Sequence, residues 1–217
     1  METTELSALR RIYARAGLAE SELAGDPLSQ LRRWLDEVVA AGLAEPNAMV
    51  VATADVDGRP AARYVLLKGL DERGLVFYTN YGSAKGAHLD TNPHASVLFP
   101  WHALERQVRV TGPVTRVSRA ESAAYFADRP RGSQLGAWAS RQSAQAASRD
   151  ELDSAYLETE RRFEGRDVPV PDFWGGYRVR IDSAEFWQGR DSRLHDRLRY
   201  TRRSVDEEVW TVERLWP

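Results

Sequence analysis

The chain of 217 residues contains no cysteine, and only two of its 30 basic residues are lysines, Lys68 and Lys85. The lack of cysteine excludes disulfides, thiol nucleophiles and thiolate metal sites, none of which an intracellular protein requires. Because the other basic residues are all arginines, each lysine is a candidate position for a compact, strongly hydrated charge. Phosphate binding suits such a lysine, and an ordinary surface position is the alternative.

An excess of one charge sign is also lacking. The net charge is −2 and the two signs are interspersed, so no overall field favours nucleic acid or an anionic membrane, and any anion site is local. The four histidines show no metal-ligand spacing, and we predict no metal. No apolar run approaches the roughly 20 residues of a membrane helix, and the N-terminus lacks a signal-peptide pattern. We therefore expect a cytoplasmic protein with one domain, residues 1–217.

Short strand patterns and a few helix patterns follow one another along the chain. Asp26-Pro27 predicts a helix that ends near Gly42. Capping-box patterns predict helices after Ser118 and Ser148, and residues 132–147 are predicted to be irregular. Further predictions are a helix over 83–91 and strands over 49–54, 63–68, 75–79, 95–99, 105–117, 177–181, 184–188, 194–201 and 209–215. This pattern indicates a mainly β fold with peripheral helices (α+β), a barrel or a sandwich.

The segment 186–197 packs an indole, three guanidiniums, an imidazole and two carboxylates into twelve residues. Interpreted as a strand, a turn and a second strand, it places Arg193, His195 and Arg197 on one face at period two. Three cationic or protonatable groups on one face suit an anionic ligand. The alternative is a solvated hairpin with salt bridges to Asp191 and Asp196.

A second cluster, over 125–133, carries Tyr125, Arg129, Arg131 and Ser133 near a predicted helix start. Guanidiniums, hydroxyls and free backbone N–H groups suit a phosphate, although arginines at a helix end often serve only solubility. The sequence contains no P-loop, no Gly-x-Gly-x-x-Gly and no nucleophile elbow. Phosphate-binding candidates without an acid–base dyad suggest a redox cofactor such as flavin, which brings its own chemistry.

Eight ordered stretches resemble the pyridoxamine 5′-phosphate oxidase family of FMN enzymes. They run from Asn47-Ala-Met-Val-Val-Ala-Thr53 and Arg63-Tyr-Val-Leu-Leu-Lys68 to Phe173-Trp-Gly-Gly176 and the 186–197 segment, with 76–80, 98–102, 105–107 and 133–138 between them. The resemblance implies an FMN-binding split β-barrel homodimer in which both chains bind FMN at the interface. It also implies a mobile N-terminal arm, 1–20, and C-terminal strands, 170–217, that complete the active site.

The resemblance also assigns roles to particular residues. Arg193 and His195 would be catalytic and cover the substrate ring, Arg10 and Tyr13 would close over it, and Gln107 would face the isoalloxazine. The implied FMN contacts are Arg63, Tyr64, Val65, Leu66, Leu67, Lys68, Tyr78, Thr79, Lys85, Gln107, Gln142, Ser143, Trp187 and Arg197. The implied substrate contacts are Arg10, Tyr13, Lys68, Tyr125, Arg129, Ser133, Arg193, Leu194 and His195.

The implied reaction is the oxidation of pyridoxamine or pyridoxine 5′-phosphate to pyridoxal 5′-phosphate, with O2 reduced to hydrogen peroxide. The alternatives are a flavin oxidase acting on another aromatic substrate, as in phenazine biosynthesis, and a non-catalytic carrier of FMN or pyridoxal phosphate. Two residues depart from the family pattern. Ala84 stands where many members have an arginine for the FMN phosphate, and Glu45 stands where we expect aspartate.

Overall fold

The computed structural model describes residues 17–217, so Arg10, Tyr13 and most of the predicted arm lie outside the described residues. The helices are α1 (Pro27–Ala40), α2 (Ala84–Thr91), α3 (Arg119–Ala127), α4 (Arg131–Ala139) and α5 (Arg149–Arg162). The strands are β1 (Ala48–Ala54), β2 (Pro60–Leu66), β3 (Gly69–Asp71), β4 (Gly74–Asn80), β5 (His94–Trp101), β6 (Arg106–Arg116), β7 (Trp174–Val179), β8 (Ser183–Gln188), β9 (Asp196–Thr201) and β10 (Thr211–Arg214). Between residues 17 and 217, no helix is long and apolar enough to span a membrane.

The described chain divides into two compact units. Unit A contains the described residues up to 46 together with Leu98–Val110 and Asp182–Pro217. Unit B contains Asn47–Val97 and Thr111–Ile181. Strands β5 and β6 each contribute residues to both units, so the units are not successive segments of the chain.

Unit A contains an antiparallel β8–β9–β10 meander and helix α1. In the meander, Phe186 pairs with Leu198, and Tyr200 pairs with Val212. Helix α1 begins as predicted, because the Asp26 side chain accepts a hydrogen bond from the Ser29 N–H and proline occupies the first turn. Its buried face packs on the meander through Trp34, whose ring meets Phe186 edge to face at 5.2 Å. This contact anchors the strands that carry the 186–197 segment.

Unit B contains the antiparallel pair β1–β2 and a second antiparallel group, in which β7 lies between β4 and the end of β6. Strand β4 is buried along almost its whole length, whereas no residue of β2 is fully buried. Helices α3, α4 and α5 enclose a second core made of Phe126, Leu135, Phe163, Val168 and Trp174. The open strand β2 and the buried strand β4 therefore offer different surroundings to the candidate residues that they carry.

Most predicted elements are confirmed, with ends displaced by at most three residues. The capping box at Ser118 is present, because Ser118 accepts from the Glu121 N–H while the Glu121 carboxylate accepts from the Ser118 N–H. One prediction is wrong, and one strand was missed. Residues 132–147 are not irregular throughout, since α4 occupies the first half, where Leu135 is buried. Strand β3, only three residues long, was not predicted.

Candidate functional site

Both lysines of the chain line one cavity in unit B, with a volume of about 290 Å³. Among residues 17–217, no aspartate or glutamate lines this cavity, although three cationic side chains do. Ten of its eleven lining residues are predicted cofactor or substrate contacts. The described lining residues are Tyr64, Val65, Leu66, Lys68, Tyr78, Thr79, Lys85, Tyr125, Arg129, Gln142 and Trp174.

Lys85 lies in the first turn of α2, and only 7% of its surface is exposed. Its Nζ atom donates hydrogen bonds to Gln142 Oε1 at 2.8 Å, Thr79 Oγ1 at 3.0 Å and Ser83 Oγ at 3.3 Å. Ser83 is also the N-cap of α2, since its hydroxyl accepts from the Gly86 N–H. A Cβ atom at Gly86 would lie 2.0 Å from the Tyr81 carbonyl oxygen, so this turn, and with it Lys85, requires glycine there.

Arg63, on β2, is the second cation of this region. Its Nη1 atom donates to the Val51 carbonyl at 3.1 Å and to Thr53 Oγ1 at 2.8 Å. Thr53 Oγ1 in turn lies 3.0 Å from His88 Nδ1 on α2. Neither Thr53 nor His88 was predicted, because their role is to hold Arg63 and no sequence motif marks a contact of that kind.

The electrostatic state of Lys85 indicates an anion site. Burial, and then repulsion from Arg63, lower the pKa of Lys85 to about 8. Burial also lowers the pKa of Arg63. All three hydrogen-bond partners of Lys85 are neutral, and within residues 17–217 no carboxylate forms an ion pair with either cation. A bound anion would supply the missing countercharge and raise the pKa of Lys85 again.

Arg129 and Tyr125 lie on another wall of the same cavity. The guanidinium carbon of Arg129 lies 4.7 Å from the centre of the Trp174 ring, and its Nη1 atom is buried with no hydrogen-bond partner among the described residues. Burial lowers the pKa of Arg129 and raises the pKa of the Tyr125 hydroxyl. A buried guanidinium nitrogen without an acceptor is costly, so this wall too is suited to an anionic ligand.

The catalytic candidates lie in unit A. The rings of His195 and Trp187 are 4.6 Å apart, and His195 Nδ1 accepts a hydrogen bond from the Arg190 backbone N–H at 3.1 Å. Neutral His195 therefore carries its proton on Nε2. Burial and the neighbouring charge of Arg193 lower the pKa of His195, with Asp196 acting in the opposite direction. This environment favours the neutral imidazole.

The prediction that Arg193, His195 and Arg197 share one strand face is wrong. Arg193 ends a 3-10 turn, Asp191–Arg193, in which Ser192 and Arg193 both have positive φ, and β9 begins only at Asp196. Two successive left-handed residues break the extended backbone that a period of two requires. The predicted salt bridges are realised in part, because Asp196 pairs with Arg190 and Arg214.

Arg197 is held by a buried carboxylate. Its Nε and Nη2 atoms donate to the two carboxylate oxygens of Glu185, at 2.8 and 3.1 Å, and Glu185 is 4% exposed. Arg109 donates to the same carboxylate at 2.6 Å. On β6, Val108 and Val110 are buried while Arg109 between them is exposed. Glu185 was not predicted, although it immediately precedes the 186–197 segment that the sequence analysis singles out.

Several other candidates lie apart from the cavity lining. Ser133 is exposed in the first turn of α4, Ser143 is exposed with φ of 74°, and Leu67 is buried. Gln107 is half-buried on β6 in unit A, and Leu194 is 67% exposed. Arg131, in the second sequence cluster, donates to the carbonyls of Phe163 and Arg166 and so has a structural role. Trp174 was not assigned to the site, although it belongs to the Phe173–Gly176 motif.

Comparison with known proteins shows the family to which the chain is related. A pyridoxamine 5′-phosphate oxidase family model matches residues 35–161, and a model of the pyridoxine 5′-phosphate oxidase C-terminal dimerisation region matches residues 174–217. Two curated relatives are both named pyridoxine/pyridoxamine 5′-phosphate oxidase. The one from Rubrobacter xylanophilus is 61% identical over 98% of this chain and 97% of its own, and the one from Salinispora arenicola is 58% identical over 100% and 98%.

Solved structures show the same architecture. PhzG from Burkholderia lata 383, solved in complex with tetrahydrophenazine-1-carboxylic acid, is 31% identical, covers 91% of this chain and 95% of its own, and superposes with a TM-score of 0.84. A pyridoxamine 5′-phosphate oxidase-related, FMN-binding protein from Nostoc punctiforme superposes with a TM-score of 0.69 at 16% identity, over 90% of this chain and 100% of its own. The fold is therefore the predicted split β-barrel with peripheral helices. Within that fold class, the chain belongs to the pyridoxamine 5′-phosphate oxidase family.

Proposed function

We propose that this protein oxidises pyridoxamine and pyridoxine 5′-phosphates to pyridoxal 5′-phosphate, with FMN as cofactor and O2 as electron acceptor. The observation that carries the proposal is a cavity lined by the cations Lys68, Lys85 and Arg129, with no carboxylate among its described lining residues. Arg63 is not part of this lining, but its charge is near enough to lower the pKa of Lys85. Two phosphorylated molecules, cofactor and substrate, would supply countercharges for these cations. Full-length relatives named for this activity support the same conclusion.

The residues present fit an FMN phosphate. Buried Lys85, with its lowered pKa and neutral partners, and Arg63, held by Thr53, would take the phosphate, and Gln142 and Ser143 lie on the adjoining loop. When bound, FMN would supply the redox chemistry, as acceptor of a hydride from C4′ of the substrate that is reoxidised by O2 with formation of hydrogen peroxide. Ala84 contributes no charge, so Lys85 and Arg63 would carry most of this contact.

The substrate phosphate would bind to Lys68, Tyr125 and Arg129, with Ser133 from α4. The buried Nη1 atom of Arg129, which has no acceptor, would gain one from a phosphate oxygen. Holding the phosphate provides binding energy remote from the reacting carbon, and that energy is available to orient C4′. A neutral substrate would leave these cations without a countercharge, so an anionic substrate is favoured. Relatives of 58–61% identity named for phosphorylated pyridines, against 31% for PhzG, favour a phosphate over a phenazine carboxylate.

His195 and Arg193 would act on the pyridine ring. Because His195 Nδ1 already accepts from Arg190, any hydrogen bond from neutral His195 to the substrate comes from Nε2. Arg193 would stabilise negative charge that develops on the substrate oxygen or nitrogen. The C-terminal dimerisation region, matched over residues 174–217, contains both residues, and we propose a homodimer in which both chains contribute to the FMN site.

The decisive experiment is to purify the protein, record its visible absorbance, and assay pyridoxal 5′-phosphate and hydrogen peroxide formed from pyridoxine 5′-phosphate in air. We expect a yellow protein and equal amounts of the two products. A colourless protein that stays inactive with added FMN would disprove the proposal. A yellow protein without turnover would indicate a carrier, and turnover of phosphate-free aromatic substrates alone would indicate a phenazine-type oxidase.

A further inference from the structure

Trp174 is a buried aromatic residue at the start of β7 that also lines the cavity. Its ring is nearly parallel to those of Tyr78 and Tyr125, with interplanar angles of 11° and 6° and centroid distances of 5.4 and 6.2 Å. Tyr78 and Tyr125 themselves stack at 4.0 Å. The three rings therefore form one aromatic stack, and two of its members are candidate ligand contacts.

Two aromatic rings lie near the Arg129 guanidinium, and that of Trp174 is the closer. The guanidinium carbon lies 4.7 Å from the Trp174 centroid and 5.6 Å from that of Phe126. Arg129 has no ion pair with a carboxylate among residues 17–217, and its Nη1 atom has no hydrogen-bond partner there. In the absence of polar anchors, contact with a π face is the directional attraction that orients this cation.

The backbone around Trp174 fixes the ring in this position. The Arg119 guanidinium donates to the carbonyls of Val170 and Pro171 at 2.7 and 2.8 Å, immediately before β7. Two glycines follow the tryptophan. A Cβ atom at Gly176 would lie 2.8 Å from Tyr78 Cε1, and one at Gly175 would lie 2.1 Å from the Tyr81 hydroxyl oxygen. The Trp-Gly-Gly run thus allows β4 and β7 to bring Tyr78 and Trp174 together.

We propose that Trp174 is a positioning residue for the substrate phosphate: its ring orients Arg129 by a cation–π contact and Tyr125 through the aromatic stack. This inference rests on the proposed function, since it assumes that Arg129 and Tyr125 bind the phosphate of a phosphorylated pyridine. Trp174 itself need not touch the substrate. Loss of the Trp174 ring should weaken substrate binding. The affinity for FMN, which depends on Lys85 and Arg63, should stay unchanged.

The test compares Trp174→Leu and Trp174→Phe in the FMN-loaded enzyme. Loss of a desolvated cation–π contact should raise KM for pyridoxine 5′-phosphate by about 5- to 20-fold in Trp174→Leu, with kcat within about twofold. Trp174→Phe keeps a π face, so its KM should lie within about threefold of the wild-type value. The FMN dissociation constant should stay within about twofold in both variants. KM, kcat and FMN affinity changing together would show a merely structural role and overturn the proposal.

Trp138→Phe is the matched control, because Trp138 lies on α4 outside the cavity lining and contacts Phe163, Phe173 and the Pro169 carbonyl. It should alter thermal stability without changing KM. A double-mutant cycle provides the second readout: in an Arg129→Met background, Trp174→Leu should add less than about twofold to KM. If the KM increases of the two single variants multiply fully in the double variant, Trp174 does not act through Arg129.

The dissociation constant of pyridoxal 5′-phosphate, measured by titration of the same proteins, separates failure of the inference from failure of the proposed function. Wild-type protein that binds this probe without turnover would refute the function, while the ratio of dissociation constants between Trp174→Leu and wild type would still test Trp174. An unchanged ratio would overturn the inference. Wild-type protein that neither binds the probe nor turns over would overturn both.

Discussion

The Lys85 ammonium donates a 2.8 Å hydrogen bond to the side-chain oxygen of Gln142, a residue 57 positions away in the sequence. The same oxygen accepts a hydrogen bond from the Thr79 hydroxyl at 2.7 Å, and Thr79 also accepts from Lys85. Strand β4, helix α2 and the loop after α4 therefore meet around one ammonium group. The two lysines of the chain lie in the same cavity but in different surroundings, Lys85 buried and Lys68 exposed.

The first prediction separates the roles of the two lysines. Lys85→Met keeps the aliphatic stem but removes a charge-assisted hydrogen bond to the FMN phosphate. A contact of about 1.5–3 kcal/mol corresponds to an increase of roughly 10- to 150-fold in the FMN dissociation constant. Lys68→Met should mainly raise KM for pyridoxine 5′-phosphate. Fluorescence titration with FMN and steady-state kinetics on both variants check this, and an equal loss of FMN affinity in Lys68→Met would contradict the division.

The second prediction concerns pH. The pKa of Lys85 in the free protein is about 8, because burial and Arg63 disfavour its charged form, whereas a bound phosphate favours that form. Above pH 8 the lysine must therefore take up a proton when FMN binds. The FMN dissociation constant should rise about tenfold between pH 7 and pH 9. In Lys85→Arg, which keeps its charge throughout this range, the pH dependence should disappear, and a persisting rise would assign it to another group.

The third prediction concerns Arg193, which lies in the turn before β9 and is exposed. Arg193→Ala should lower kcat by about 100-fold or more if the guanidinium stabilises charge that develops on the substrate. The FMN dissociation constant should change less than about threefold. Arg199→Ala is the control, since Arg199 forms an ion pair with Glu213 on the outer strands and should leave both quantities unchanged. Parallel loss of FMN from Arg193→Ala would refute the catalytic assignment.

The fourth prediction concerns the buried carboxylate that holds Arg197. Glu185→Gln removes the countercharge of Arg197 and Arg109, both of which are partly exposed and can be hydrated. We therefore expect a loss of about 1–3 kcal/mol in the free energy of unfolding, less than for a fully buried pair. FMN affinity should fall as Arg197 loses its orientation. Glu213→Gln, which breaks a surface pair, should cost less than about 0.5 kcal/mol, and similar costs for both variants would contradict this view of Glu185.

Much of the fold could be predicted from local patterns. Asp26-Pro27 and the Ser118 capping box specify helix starts through contacts within four residues, and both are confirmed. A helix start was predicted near 125–133, but the course of α4 through residues 132–139 was missed because its sequence is rich in small residues and its N-cap, Pro130, offers no side-chain hydrogen bond. Strand β3 was missed because three residues are too few to show alternation.

The cavity lining was predictable where the family resemblance assigns contacts, as for Lys85, Thr79 and Gln142. Residues that act by holding another residue were missed. Thr53 and His88 hold Arg63 across different elements, and Glu185 holds Arg197 across two strands. The shared face of Arg193, His195 and Arg197 was wrong because nothing in the residue types signals two consecutive left-handed residues. Long-range support and unusual backbone conformation are features that only the structure reveals.

The three hydrogen bonds of Lys85 have one further consequence. An ammonium group has three protons, and Thr79, Ser83 and Gln142 already accept all of them. A phosphate oxygen can reach Lys85 only by displacing one of these acceptors. Gln142 is the most exposed of the three and lies on a loop, so it is the natural leaving partner. FMN binding would then replace the Gln142 side-chain oxygen by a phosphate oxygen as a hydrogen-bond acceptor of Lys85. The measured FMN affinity would report the difference in free energy between these two hydrogen bonds.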